Sequence, residues 1–233
     1  MNTEAVRLAR SHLNSSPSDG QITLDDVKKP SLFEYDSQLR RQYSVVCGID
    51  EAGRGPLAGD VYAAAVIFEE GTVIDGINDS KKLTEKKREQ LFDEICAKAK
   101  AFCIATASVA EIEEINILNA AMLAMKRAYE GLGLPADMIL VDGNKLPPIN
   151  GNVKAIVKGD ATSACIAAAS ILAKVARDRY MDDLAKQYPE YSFEKHKGYG
   201  TKVHYAAVDK HGLCPVHRPS FFKKYYEKKN KNG

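Results

Sequence analysis

Two adjacent carboxylates, Asp50 and Glu51, close the apolar run Val45-Val46-Cys47-Gly48-Ile49, and a third, Asp142, closes Met138-Ile139-Leu140-Val141. Acidic residues are poor strand formers, so carboxylates at strand ends need a reason. A lone Asp there is a turn former. Two at the carboxyl ends of parallel neighbours project into one crevice, where open α/β sheets place their ligands. Lys158-Gly159-Asp160 adds a fourth acid ahead of a long helix, to be read either as a first-turn or N-cap aspartate or as part of the same cluster. Crowded carboxylates repel one another unless cations neutralise them. Magnesium is held by a few carboxylates, waters and substrate phosphate oxygens rather than by a full protein cage. Two such ions about 4 Å apart clamp an in-line displacement at phosphorus, with no need for a protein nucleophile.

Other segments read as parts that would hold a substrate. Gly53-Arg54-Gly55, directly after the acidic pair, is either a tight turn or a nest of backbone amides for an anion or hydroxyl oxygen. Lys195-His196-Lys197-Gly198-Tyr199-Gly200-Thr201-Lys202 surrounds one aromatic with cations and glycines, which suits a phosphate backbone and a stacking surface. Asn78-Asp79-Ser80-Lys81-Lys82-Leu83 precedes a helix; Asp79 or Ser80 would cap it, or Lys81 or Lys82 would reach a phosphate. His196, His204, His211 and His217 lack the spacing of a zinc site and read as surface or hydrogen-bonded imidazoles.

The elements that must position these groups alternate. Strands are expected over 44–50, 59–68, 101–109, 137–142 and 155–157, with a short one over 71–74. Helices are expected over 84–99, 112–129, 162–187, 201–210 and 219–228. The 162–187 helix is small on one side (Ala164, Ala167, Ala168, Ala169, Ser170, Ala173), which lets it lie close to a sheet. Residues 1–43 form a separate accessory segment, with helices over 3–13 and 31–41, a loop over 15–20 and a capped helix start over 23–26. Residues 44–233 form the main domain. The order of elements gives a mixed α/β sheet with helices on its faces.

Composition narrows the function classes. A 233-residue chain with 45% hydrophobic and 27% charged residues is an ordinary globular protein. No apolar run approaches the roughly 20 residues that span a bilayer, and residues 1–10 lack the apolar core of a signal peptide. The five cysteines form no Cys-x-x-Cys pair and read as reduced thiols, so a cytoplasmic, monomeric protein with no membrane association is expected. Net charge is only +2, yet residues 217–233 carry six Lys or Arg against the single Glu227. That tail is either a solvated end or a phosphate-contacting edge. The segment 53–59 lacks the Gly-Lys-Ser/Thr ending of a phosphate-binding loop. A metal-free nucleic-acid-binding module would not explain acids that repel phosphate.

Asp50-Glu51-Ala52-Gly53-Arg54-Gly55-Pro56 resembles the signature of ribonuclease HII, the type 2 ribonuclease H. The 195–202 and 78–83 segments and His217-Arg218-Pro219-Ser220-Phe221 are also similar to motifs of that family, so the resemblance runs from about 45 to about 222. It implies a ribonuclease H-like mixed sheet flanked by helices, with a helical, basic C-terminal part. It implies an endonuclease that hydrolyses the RNA strand of RNA–DNA hybrids, including single ribonucleotides in duplex DNA, leaving 3′-hydroxyl and 5′-phosphate ends. By resemblance Asp50, Glu51, Asp142 and Asp160 form a four-carboxylate site for two Mg2+ or Mn2+ ions, Asp50 and Asp142 sharing one metal position. Gly53, Arg54 and Gly55 face the ribonucleotide, whose 2′-hydroxyl distinguishes RNA from DNA. Tyr199 packs on the sugar at the RNA–DNA junction, and Lys81 reaches a phosphate. The 217–221 motif reads as structural.

Overall fold

The computed structural model describes residues 31–78 and 80–231. The expected elements over 3–13, 15–20 and 23–26 lie outside the described residues, as does Asp79. Five strands form one sheet: β1 (Val46–Ala52), β2 (Val61–Phe68), β3 (Ala99–Ala107), β4 (Met138–Asp142) and β5 (Val153–Ile156), in the order β3-β2-β1-β4-β5. β1, β2 and β3 pair antiparallel, whereas β4 lies parallel to β1 and β5 parallel to β4. The expected mixed α/β sheet is therefore present.

Period-two alternation sends successive side chains to opposite faces. On β2, Val61, Ala63, Ala65 and Ile67 pack with Cys47 and Ile49 of β1 against helix α3 (Val109–Glu130). Ala64, Val66 and Phe68 pack on the other face against α2 (Glu85–Lys98) and α4 (Ala164–Gln187). α4 is apolar nearly all round and is buried along most of its length, as such a helix must be. It sits so close to β1 that a methyl group at Gly48 would lie 2.2 Å from the carbonyl carbon of Cys165. Gly48→Ala would force helix and strand apart.

The helix starts follow side-chain caps. Ser108 and Glu111 form a reciprocal capping box that begins α3 at Val109, three residues earlier than the pattern of apolar residues suggests. Asn116 then breaks α3 with φ 68°, and its Oδ1 accepts the amides of Leu118 and Asn119, restarting the helix. The strand expected over 71–74 is absent. Thr72 N–H closes a turn on Glu69 O, and both edges of β2 are already taken by β1 and β3. Ile74 is buried there as a loop residue.

α1 (Leu32–Arg40) is not detached from the main body. Asp36 is buried against α4, and its Oδ2 accepts the Cys165 amide at 2.9 Å. Burial raises its pKa, while hydrogen bonds from Ser163 and Cys165 pull the other way. The C-terminal part comprises a short helix α5 (Phe193–His196), α6 (Lys202–His211) and α7 (Lys223–Lys231) around its own apolar cluster. α7 folds back on α6, with Tyr225 stacked on Tyr205 and both Tyr225 and Lys229 bonded to Asp209.

Candidate active site

The parallel register of β1 and β4 aligns Ile49 with Val141, so Asp50 and Asp142 come next on the two strands and lie side by side, Asp142 at the end of β4 and Asp50 two residues before the end of β1. Asp50 is 5% exposed. Its pKa is raised well above the ordinary carboxylate value, first by burial, then by the charges of Glu51 and Asp142. Glu51 is also raised by burial, opposed by Arg54, whose Nη1 donates to Glu51 Oε1 at 3.2 Å. Asp142 Oδ1 accepts the Gly159 amide at 2.7 Å, which draws the turn carrying Asp160 against the end of β4. Asp160 is buried in that turn, and the N-cap of α4 is Ser163, which accepts the Ile166 amide. Asp160 is therefore not the N-cap of α4 but a first-turn residue of the short 3₁₀ helix Gly159–Ala161.

Beside the acids lies a cleft of about 420 Å³. Glu51, Gly53, Arg54, Gly55, Lys81 and Tyr199 line it; Asp50, Asp142 and Asp160 sit outside the lining. Gly53 has φ 101°, a conformation that suits glycine. A methyl group at Gly55 would be 3.5 Å from Tyr199 Cε1, so the glycine turn and the tyrosine face each other at contact distance. Tyr199 is 46% exposed. α2 is capped by Thr84, which accepts the Lys87 amide, so Ser80 is free for another task.

That task involves residues the sequence reading missed. Ser170, Lys174 and Arg177 line the cleft from α4. Ser170 meets Ser80 at 2.8 Å and lies beside Asp50, where its hydroxyl opposes the upward shift of that carboxylate. Lys174 pairs with Asp178. The spacing i, i+4, i+7, which puts the three side chains on one face of α4, was the available signal. Ile117, just after the break in α3, completes the wall. Two buried arginines hold the glycine turn from behind. Arg218 donates to the carbonyls of Gly53, Pro56 and Gly59 at 2.6–2.8 Å. The three buried histidines are hydrogen-bonded core groups: His204 Nε2 lies 3.0 Å from His217 Nε2, and His196 stacks on His204.

The donor set suits a hard divalent cation: carboxylate oxygens of Asp50, Glu51, Asp142 and Asp160, with Asp50 and Glu51 shifted in the direction that a nearby cation would reverse. Among the described residues no group of three or more acidic, His or Cys side chains is close enough together to hold a metal ion. A magnesium-type ion needs only one or two carboxylates, with water and substrate oxygens in its other positions.

An α/β sheet with acids at the ends of two central parallel strands, beside a cleft with basic and aromatic walls, defines a metal-dependent phosphodiester hydrolase of the ribonuclease H type. The family profile described as Ribonuclease HII matches residues 47–225. The chain is 53% identical over 192 residues to a ribonuclease HII of Caldicellulosiruptor bescii, covering 82% of this chain and 93% of the relative. It is 60% identical over 177 residues to that of Albidiferax ferrireducens, covering 76% and 86%. Its fold is similar to the ribonuclease H2 of Pyrococcus horikoshii, with a TM-score of 0.64 and 27% identity over 76% of this chain and 93% of that one. The chain belongs to the ribonuclease HII family. It is a divalent-metal-dependent endonuclease that hydrolyses the RNA strand of RNA–DNA hybrids.

Proposed function

We propose that this endonuclease acts on single ribonucleotides embedded in duplex DNA as well as on longer hybrids, with Asp50, Glu51, Asp142 and Asp160 as its catalytic and metal-holding residues. The observation that carries the reading is the placement of Asp50 beside Asp142 by the β1–β4 register, next to a cleft lined by the Gly53–Gly55 turn and Tyr199. Two Mg2+ or Mn2+ ions at these carboxylates would supply an activated water and stabilise charge on the leaving oxygen. The resemblance to the family implies that the 3′ oxygen is the leaving group, which gives products with 3′-hydroxyl and 5′-phosphate ends.

The chain's own residues divide the remaining work. Ser170 lies beside Asp50 and works against the upward shift that burial, Glu51 and Asp142 impose on it. Arg54 restrains Glu51 while its half-exposed guanidinium stays within reach of a phosphate or sugar. The Gly53–Gly55 turn brings bare backbone up to the ribonucleotide, where an amide or carbonyl is matched to a 2′-hydroxyl. Tyr199 offers a ring to the adjoining sugar, and Lys81 offers charge to a phosphate. The lysines of α7 that remain exposed extend the phosphate-contacting surface. Five free thiols and the absence, among the described residues, of a helix able to cross a membrane suit a cytoplasmic enzyme.

The test is a labelled DNA duplex bearing one ribonucleotide, with all-DNA and all-RNA duplexes as controls, in Mg2+, in Mn2+ and in chelator. Metal-dependent scission only at the ribonucleotide, lost in Asp50→Asn, is the expected result. Equal scission of the all-DNA duplex would defeat the ribose-reading assignment, and binding without scission in either metal would defeat the catalytic one.

A further inference from the structure

The glycine turn and Tyr199 belong to segments about 145 residues apart in sequence, yet both line the cleft, and the gap between Gly55 and the ring is about one methyl group wide, since a methyl added at Gly55 would lie 3.5 Å from Tyr199 Cε1. Something must set that gap. One direct link is the Leu57 amide on Gly198 O at 2.8 Å. Arg218 does not bridge the gap, because its side-chain bonds all go to carbonyls of residues 53–59.

Arg177 does bridge it. Its Nε donates to Asp60 O at 3.3 Å and Nη2 to Ala58 O at 3.1 Å, both on the segment that follows the glycine turn. Its Nη1 donates to Lys197 O at 3.1 Å, two residues before Tyr199. Nη2 also meets Met181 Sδ at 3.6 Å. The side chain is 1% exposed and bonds no carboxylate, so its charge is balanced by oriented carbonyl dipoles. It also packs under Gly53, where a methyl group would fall 2.2 Å from Nε. A planar guanidinium with donors on three nitrogens is suited to this; an ammonium on a flexible stem cannot hold three diverging carbonyls in one plane.

We propose that Arg177 is a positioning residue for ribose selectivity: its guanidinium fixes the separation between the Gly53–Gly55 turn and the Tyr199 ring. This rests on the reading of those two parts as the ribose-facing walls. Loss of the bracket would leave the carboxylates in place, since they are held by β1, β4 and Ser170, and would let the two walls part. Discrimination of a 2′-hydroxyl from a hydrogen would then fall, because a hydroxyl is recognised only by partners held at hydrogen-bonding distance.

The experiment measures affinity for a duplex with one ribonucleotide and for the matching all-DNA duplex, with Ca2+ in place of Mg2+ to prevent scission. Wild type and Arg177→Lys are compared, with Mn2+ affinity of each protein measured alone. The expected result is an affinity ratio lowered about tenfold in Arg177→Lys, the equivalent of one lost hydrogen bond, with Mn2+ affinity unchanged. A ratio equal to that of wild type, even in a less stable variant, overturns the proposal. If wild type itself shows no preference, it is the ribose-reading function that fails. Should Arg177→Lys not fold, Gly198→Ala decides. Its methyl group would lie 2.8 Å from Ala58 O and wedge the same seam from the other side. A lowered ratio there supports the spacing argument, and an unchanged one overturns it.

Discussion

Ser80 Oγ and Ser170 Oγ lie 2.8 Å apart, both buried, and the Ser170 hydroxyl opposes the upward shift of Asp50. A hydroxyl has one proton, so one of the two serines donates to the other. The pair ties the loop carrying Lys81 to α4 beside Asp50. Ser170→Ala leaves Ser80 without its side-chain partner. It should cost about 1–3 kcal/mol in chemical denaturation, and Ser80→Ala should add little on top. Fully additive losses in a double-mutant cycle would show that the serine pair contributes nothing.

Asp50→Asn separates stability from activity. Burial and the charges of Glu51 and Asp142 both disfavour ionised Asp50, so neutralising it relieves repulsion in the protein without metal. Cleavage should fall by more than about a hundredfold, at least the loss typical for disturbing a metal ligand's support. The melting temperature in chelator should stay level or rise. A melting temperature several degrees lower would mean that Asp50 has a structural role not visible in its contacts.

The histidine core makes stability depend on pH. His204 and His217 have their pKa values depressed to about 4, chiefly by burial and further by other imidazoles of the cluster, against 6.5 for a free imidazole. The unfolded chain therefore binds more protons than the folded one between about 4 and 6.5. Folding stability from this pair is complete above 6.5 and is lost as pH falls toward 4. Denaturation midpoints at constant ionic strength should drop through that window, and less steeply in His204→Asn. A flat profile in the native protein would show that the imidazoles are protonated without cost.

The two acids were legible because a carboxylate closing a run of four or five apolar residues is a local anomaly, and β1 and β4 each supply one. The boundaries of α3 were not, although the capping box of Ser108 and Glu111 was there to be read. Arg177 was missed for a different reason. Its partners are carbonyls up to 119 residues away, and a carbonyl is the same in every residue. The bond from the amide of Cys165 to Asp36, across 129 residues, is of the same kind. Backbone acceptors and donors at long range leave no mark in side-chain pattern.

Gly53 and Gly143 form a matched pair for testing how tightly the glycine turn is backed. Their φ values are 101° and 97°, so alanine at either site meets similar backbone strain, about 1–3 kcal/mol. The surroundings differ. A methyl group at Gly143 meets nothing within 4 Å, whereas one at Gly53 would lie 2.2 Å from Arg177 Nε and 2.5 Å from Cδ. Arg177 has no room to retreat without releasing the carbonyls of Ala58, Asp60 or Lys197. Gly53→Ala should therefore be the less stable variant by about another 1–3 kcal/mol, the cost of a buried donor set left partly unpaired. Thermal and urea denaturation of the two variants measure the difference directly. Equal losses would mean that Arg177 yields freely, and the glycine turn would then be set by its own dihedral angles and by Arg218.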